Sequence, residues 1–112
     1  MSGKFELKTS RNGEYMFNLI ASNGKVILTS ETYPERRNAL KGIESVRANA
    51  PLDERFERKM SDSGKPFFVL MAANGVVIGR SQMYSSAASM EKGIASVKTH
   101  APEAELVDTT AQ

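Results

Sequence analysis

The sequence predicts an α+β domain in which one antiparallel sheet carries two helices on one face. Three observations lead to this prediction. The chain repeats itself at a constant offset of 51 residues, each copy contains segments of alternating apolar and polar residues, and each ends with apolar residues at helical spacing. An internal repeat of this length indicates a repeated supersecondary unit, so the offset sets the architecture.

The repeat is clearest in FNLIASNGKVILTSETY, from Phe17 to Tyr33, and FVLMAANGVVIGRSQMY, from Phe68 to Tyr84. The match extends without a gap in both directions. We therefore expect one domain, 1–112, made of two repeats at about 5–54 and 56–105. The tail ELVDTTAQ aligns with the start of a repeat, which predicts a final strand at about 106–110 with Val107 in the place of Phe5.

Each copy begins with three predicted strands. In the first copy these are FELKTS, YMFNLIAS and KVILTS, where alternation is typical of half-buried strands. Asn23-Gly24 predicts a two-residue type I′ hairpin turn, because both central residues of that turn need a positive φ. Such a turn places Ala21 opposite Val26 and Leu19 opposite Leu28.

A helix follows the third strand in each copy. In the first copy it begins near Pro34 or Glu35, and Pro51 ends it. In the second copy Ser85 or Ser86 is the predicted N-cap, and Pro102 ends the helix. The predicted inward residues are Ala39, Ile43, Val46 and Ala50 in the first helix, and Ala87, Met90, Ile94, Val97 and Ala101 in the second.

Strand alternation divides the remaining apolar residues between two faces. Phe17, Leu19 and Leu28 share the face that the helices cover. The opposite face, here called the outer face, is then exposed, and an apolar patch rimmed by charges is typical of a partner surface. The candidate interaction surface consists of Met16, Ile20, Ile27, Phe67, Val69, Met71, Ile78 and Arg80.

The combined pattern of these motifs resembles the YegP-like family of small bacterial proteins of unknown function. The resemblance rests on Phe17-x-Leu19, Ala21-x-Asn23-Gly24, Tyr33 and Gly42-Ile43-x-Ser45-Val46, which occur twice in tandem. It implies three antiparallel strands, a helix and a further strand in each repeat. Both repeats would share one sheet and exchange their last strands. It implies no catalytic residue, cofactor or substrate.

Composition excludes several classes of function. The chain has 112 residues, no cysteine and a formal net charge of only +2. Without cysteine there are no disulfides, thiolate metal sites or thiol nucleophiles, which fits a cytoplasmic protein. No apolar stretch is long enough to span a membrane, and no signal peptide is visible. No metal or cofactor motif occurs, so we expect neither.

A few residues remain as site candidates. Tyr33 and Tyr84, where the third strand gives way to the helix, are candidate ligand contacts, although a buried ring with its hydroxyl at the edge is the simpler interpretation. Gly42 and Gly93 lie inside helices, where glycine costs about 1 kcal/mol relative to alanine, which predicts a close approach of another element. His100 lies outside the repeated pattern, because its counterpart is Asn49.

The leading hypothesis is a non-catalytic binding or protein-interaction module that uses the open face of its sheet. One alternative is a small enzyme with tyrosine and serine chemistry, assisted by His100, but general acid–base work usually recruits a tuned histidine or carboxylate. The other is weak single-stranded nucleic-acid binding, which needs stacked aromatics and a basic groove. We expect a monomer, since the tandem repeat forms an internal pseudo-dimer.

Overall fold

Each repeat folds into three strands and a helix, as the alternating and helical patterns predict. The computed structural model describes residues 3–110. The first repeat contains β1 (Lys4–Thr9), β2 (Tyr15–Ile20), β3 (Val26–Ser30) and α1 (Arg36–Asn49). The second contains β4 (Phe56–Met60), β5 (Pro66–Met71), β6 (Val77–Arg80) and α2 (Ala87–His100), followed by β7 (Glu105–Asp108). A short 3₁₀ turn leads into β4 and another leads into β7.

All seven strands form one sheet in the order β4-β5-β6-β3-β2-β1-β7. Every neighbouring pair is antiparallel except β1 and β7, which run parallel at one edge. The predicted α+β architecture with exchanged strands is thus confirmed, and the parallel pair makes the sheet mixed. The repeats meet at β3 and β6, where Thr29 pairs with its own counterpart, Arg80. Pairing of equivalent residues in antiparallel strands is what a pseudo-twofold axis produces.

Both helices pack against a single apolar core on one face of the sheet. The core takes its largest fully buried side chains from both repeats, including Phe5, Phe17, Leu19, Phe68 and Leu70. Burial of such side chains stabilises the fold by roughly 1.5–3 kcal/mol each. Among residues 3–110, no helix is long and apolar enough to cross a membrane.

The tail forms β7, but its register differs from the one that the repeat predicts. Leu106 pairs with Phe5, and Val107 pairs with Glu6. Val107 therefore lies on the outer face and does not take the place of Phe5. The repeat alignment misassigned it because β7 pairs with β1 in parallel, and the register of that pair decides which residues share a face.

The hairpin turn is also different from the predicted type I′ turn. The Gly24 N–H donates to the Ala21 carbonyl at 2.9 Å, and among the described residues only glycines have a positive φ. The turn is therefore type I, with Gly24 (φ 86°) in a G1 bulge. Val26 consequently pairs with Ile20, and a second bulge restores the predicted pair of Leu19 and Leu28.

The helix boundaries follow the predicted caps. Ser86 is the N-cap of α2 and its hydroxyl accepts a hydrogen bond from the Ser89 N–H, whereas Glu35 caps α1 without a side-chain bond. Ala87 is exposed, so its assignment to the inward stripe was wrong. It is the first residue of the helix, where the side chain has not yet reached the core.

Candidate binding cleft between the two repeats

Tyr33 and Tyr84 lie within the two strand-to-helix connections, and each ring stacks on a core phenylalanine. The Tyr33 ring lies 6.5 Å from that of Phe17 with an interplanar angle of 8°, and Tyr84 lies 6.3 Å from Phe68 at 14°. The Tyr33 backbone is fixed by two hydrogen bonds to Tyr15, at 2.7 and 2.8 Å. Both rings are therefore held from one side, with the hydroxyl directed at the neighbouring helix.

The glycines inside the helices make room for these hydroxyl groups. A Cβ atom at Gly42 would lie 2.6 Å from the Tyr33 oxygen, and one at Gly93 would lie 2.1 Å from the Tyr84 oxygen. Both distances are shorter than a van der Waals contact. The predicted close approach is thus present, and its partner is a tyrosine side chain at each position.

A cleft of about 470 Å³ opens between α1 and the β5–β6 hairpin, so each repeat supplies one wall. Small-molecule sites typically have volumes of this size. Tyr33 is among the residues that line the cleft. Its other lining residues are Glu31, Asn38, Lys41, Gly42, Ser45, Ala72, Asn74, Val76, Val77 and Ile78.

Apolar and polar groups are segregated within this cleft. The hairpin supplies valine and isoleucine side chains, of which Val76 is 57% exposed. The Lys41 ammonium has no carboxylate within 4.0 Å among residues 3–110. Glu31 also lines the cleft, and its carboxylate pairs with Arg80 at 3.8 Å. An apolar surface beside the Lys41 cation suits a ligand that has an apolar body and an anionic group.

Tyr33 is a protonated hydrogen-bonding group in this cleft. Burial raises its pKa above the ordinary value of 10.0, and the nearby Glu31 carboxylate raises it further. The Tyr33 hydroxyl makes no hydrogen bond within the described part of the chain, so it can donate to a ligand. Tyr84 differs, because burial raises its pKa but a hydrogen bond with Gln82 opposes the change.

The outer face is less exposed than the alternation predicts. Phe67 and Val69 are 8% and 1% exposed, although they point away from the helices. Charged side chains flank them: Lys59 and Glu57 are their cross-strand neighbours on β4, and Val69 also pairs with Arg80 on β6. The long aliphatic stems of such residues cover apolar neighbours while the charges stay in water.

Ile27 and Ile78 do not belong to the outer face at all. Both are buried in the core that the helices cover, at 7% and 6% exposed. The sequence-based assignment was wrong because each lies at a bulge, where strict alternation of faces fails. Met16, Ile20 and Met71 are half-buried, and Arg80 is exposed.

His100 lies at the end of α2, where its side chain bonds to Ser22 and Ser96. Its Nδ1 donates to the Ser96 carbonyl at 2.8 Å, which leaves Nε2 to accept from the Ser22 N–H at 3.3 Å. This bond ties α2 to the β2–β3 hairpin. No hydrogen bond joins His100 to Tyr33 or Tyr84 in residues 3–110, so the groups required by the enzyme hypothesis are not brought together.

Several cleft residues escaped the sequence analysis, although a signal for them exists. Three of the cleft residues, Glu31, Asn38 and Val76, lie where the two copies differ, whereas the others are identical in both copies. Val76 corresponds to Lys25, and Glu31 corresponds to Gln82. Identities between copies identify the shared core, whereas differences of this kind identify positions that have become specific to one side of the molecule.

Comparison with known proteins agrees with the duplicated architecture. The model of the domain of unknown function DUF1508 matches residues 10–57 and again residues 61–108. The chain belongs to the DUF1508 family. A UPF0339 protein of Pseudomonas aeruginosa, PA0329, is 52% identical over 96% of this chain and 98% of its own length. The UPF0339 protein YegP of Escherichia coli K12 is 49% identical over 98% of this chain and its own full length.

Two solution NMR structures show the same fold as this DUF1508 protein. YegP of E. coli superimposes with a TM-score of 0.94 at 48% identity, and it covers the whole of this chain and 97% of its own. SO3888 of Shewanella oneidensis has a TM-score of 0.90 at 45% identity, with coverage of 96% and 92%. The resemblance to the YegP-like family is therefore confirmed. These relatives are described as UPF0339 proteins or as proteins of unknown function, and none of these descriptions states an activity.

Proposed function

We propose that this protein is a non-catalytic binding module that holds a small ligand in the cleft between α1 and the β5–β6 hairpin. The observation that carries the proposal is the cleft itself, in which apolar hairpin residues face the polar groups of Tyr33 and Lys41. The ligand has an apolar body that packs on Val76 and Ile78. Its anionic group lies near the Lys41 ammonium and accepts a hydrogen bond from the Tyr33 hydroxyl.

Three probes that differ only in their head group test this ligand class. Octanoate, octanol and octylammonium are titrated into ¹⁵N-labelled protein, and amide chemical shifts are followed. Octanoate is expected to bind most tightly and to shift the amides of Lys41, Gly42 and Val76. Equal binding of all three probes, or shifts outside the cleft, would remove the support for an anionic ligand there.

Lys41→Gln and Lys92→Gln form a matched pair of variants, because the two lysines are equivalent in the two repeats. Lys41→Gln should weaken octanoate binding about fivefold, because an exposed ion pair contributes about 1 kcal/mol and that energy corresponds to this change in affinity. Lys92→Gln should leave the affinity unchanged. If both variants weaken binding equally, the effect is one of net charge and the cleft is not the site.

A second candidate is a protein-interaction surface on the outer face. It is supported by the half-exposed Met16, Ile20 and Met71 next to the exposed Arg80. Burial of Phe67 and Val69 leaves less apolar surface for a partner than the alternation suggests. It also leaves no exposed Phe67 ring for bases to stack on, which disfavours the nucleic-acid alternative. Met71→Glu should abolish capture of a partner from lysate and leave the melting temperature nearly unchanged, if this face is used.

A further inference from the structure

The sheet has two edge strands, β7 and β4, and each pairs with a single neighbour within residues 3–110. At one edge β7 pairs in parallel with β1, and the Thr109 N–H donates to the Leu7 carbonyl at 2.9 Å. At the other edge β4 pairs antiparallel with β5, and with five residues it is the longer of the two edge strands, since β7 has four. An edge strand of this kind presents unpaired backbone groups that can pair with another chain.

The backbone groups that β4 presents can be identified from its hairpin. The Ser61 N–H donates to the Lys65 carbonyl at 2.8 Å, so this pair faces inward across the hairpin. In an antiparallel pair the direction alternates, so Lys59 and Glu57 also bond to β5. The N–H and C=O groups of Arg58 therefore point away from β5, at the centre of the open edge.

The side chains of β4 are self-complementary about Arg58. If a second β4 pairs antiparallel with Arg58 opposite Arg58, each Glu57 lies across from a Lys59. On the helix-covered face each Met60 lies across from a Phe56. Met60 is 66% exposed, more than the other exposed large apolar residues described here, and such a pair would cover it. Cross-strand pairs of opposite charge and of apolar residues are the ones that stabilise sheets.

The central pair of arginines does not oppose this arrangement. Each Arg58 guanidinium already bonds to Glu91 at 2.9 and 3.0 Å and to Asp53 at 3.2 Å. These carboxylates balance its charge and hold the side chain between α2 and the turn that precedes β4. The same kind of pairing already joins the two repeats, where Thr29 lies opposite its counterpart Arg80.

We infer that the β4 edge is an interaction surface for a second copy of this chain, which forms an isologous dimer through antiparallel β4–β4 pairing. The two sheets become one continuous sheet across a twofold axis at Arg58. Two short edges bury less than the roughly 1,200 Å² of a standard interface, so the dimer is weak. The protein is monomeric in dilute solution and dimerises at high concentration.

Sedimentation at low salt, from about 10 µM to about 1 mM protein, tests the inference. The weight-average mass is expected to rise towards that of a dimer. Lys59→Glu places a carboxylate opposite each Glu57 of the paired strands and is expected to abolish the rise. The double variant Glu57→Lys, Lys59→Glu restores opposite charges and is expected to recover it. Lys8→Glu is the matched control, because Lys8 is the counterpart of Lys59 on the edge that β7 covers.

Amide hydrogen exchange at Arg58 provides the second measurement and identifies the surface directly. Its exchange is expected to slow with protein concentration, because the N–H gains a partner only in the dimer. A mass that stays monomeric to about 1 mM would overturn the inference. So would dimerisation that is unaffected by Lys59→Glu, a double variant that fails to dimerise, or an Arg58 amide that exchanges equally fast at all concentrations.

Discussion

The two helices end in different ways, and the hairpins beside them differ accordingly. His100 and its counterpart Asn49 both donate to the serine carbonyl one turn earlier, at 2.8 Å in each case. The Nε2 atom of His100 accepts a hydrogen bond from the Ser22 N–H in the β2–β3 hairpin. The Oδ1 atom of Asn49 accepts a hydrogen bond from the Arg55 guanidinium, only six residues further along the chain. Thus the end of α2 is hydrogen-bonded to the first repeat, whereas the end of α1 is hydrogen-bonded to the turn that follows it and leads into β4.

The cleft lies beside the β5–β6 hairpin, which Asn49 does not bond to within residues 3–110. The residue of the β5–β6 hairpin equivalent to Ser22 is Ala73, and the one equivalent to Lys25 is Val76. The comparison teaches that duplication kept one core in both halves, while substitutions at helix ends and hairpins gave one side a bond between helix and hairpin and the other an exposed valine.

The largest expected effect tests the equivalence of the two cores. Leu19→Ala and Leu70→Ala should each lower the free energy of unfolding by about 2–5 kcal/mol, because lost transfer energy and cavity energy add. Both leucines are fully buried at equivalent positions, so the two costs should agree within about 1 kcal/mol. Urea denaturation measures both.

Phe67→Ser extends this measurement to the outer face. Since Phe67 is largely buried, we expect a loss of the same order as for the leucines. A loss below about 0.5 kcal/mol, typical of surface positions, would show that the charged neighbours do not cover the ring in solution. Phe67 would then be exposed in solution, which would support the outer face as the interaction surface.

The helix glycines should show a smaller effect that differs between the copies. Gly93→Ala should cost about 1–3 kcal/mol through overpacking, and Gly42→Ala should cost less because its contact with tyrosine is longer. Adding Tyr33→Phe to Gly42→Ala should recover most of the loss, since the hydroxyl is the closest atom. Adding Tyr84→Phe to Gly93→Ala should recover less, because the ring carbon also lies within 2.6 Å. Equal costs and no recovery would refute this explanation of the glycines.

Replacing His100 by asparagine makes the end of α2 resemble that of α1. The bond to the Ser22 N–H is lost, and we expect the free energy of unfolding to fall by about 0.5–1.5 kcal/mol. Hydrogen exchange at Ser22 should accelerate, while exchange in the β5–β6 hairpin stays the same. Ser22→Ala is the control, because it keeps the backbone N–H and should leave exchange at residue 22 nearly unchanged.

The smallest effect concerns the two tyrosines. Glu31→Gln gives Tyr33 the neighbour that Tyr84 has, so the pKa of Tyr33 should fall but stay above 10.0, because burial still raises it. The raised pKa contributes stability that is present below about pH 10 and is lost as the pH rises through the folded-state pKa. Because the pKa of Tyr33 is lower in Glu31→Gln, this contribution to stability should be lost at a lower alkaline pH than in the unaltered protein. Ultraviolet titration of tyrosinate measures the change, and an unaltered profile would show that Glu31 does not act on Tyr33.

Local patterns in the sequence predict most of this fold. Strand alternation and the repeat indicate the strands and the buried residues, and proline positions indicate where the helices end. They fail where a bulge changes the alternation, as at Ile27, and where charged stems cover an apolar residue, as at Val69. The cleft could not be predicted from local patterns either. Its walls come from α1 and the β5–β6 hairpin, and the gap between them depends on the packing of one repeat on the other.

The pairing of β7 with β1 has a consequence for the order of folding. The hydrogen bond from the Thr109 side chain to Leu7 spans 102 residues, whereas that from Phe17 to Ser30 spans 13. Closing the longer loop costs about 2 kcal/mol more in chain entropy. The hairpins should therefore form early and the β1 edge should close last, after the second repeat has left the ribosome. Until then, a nascent chain exposes an open edge on β1, which β7 covers in the finished protein.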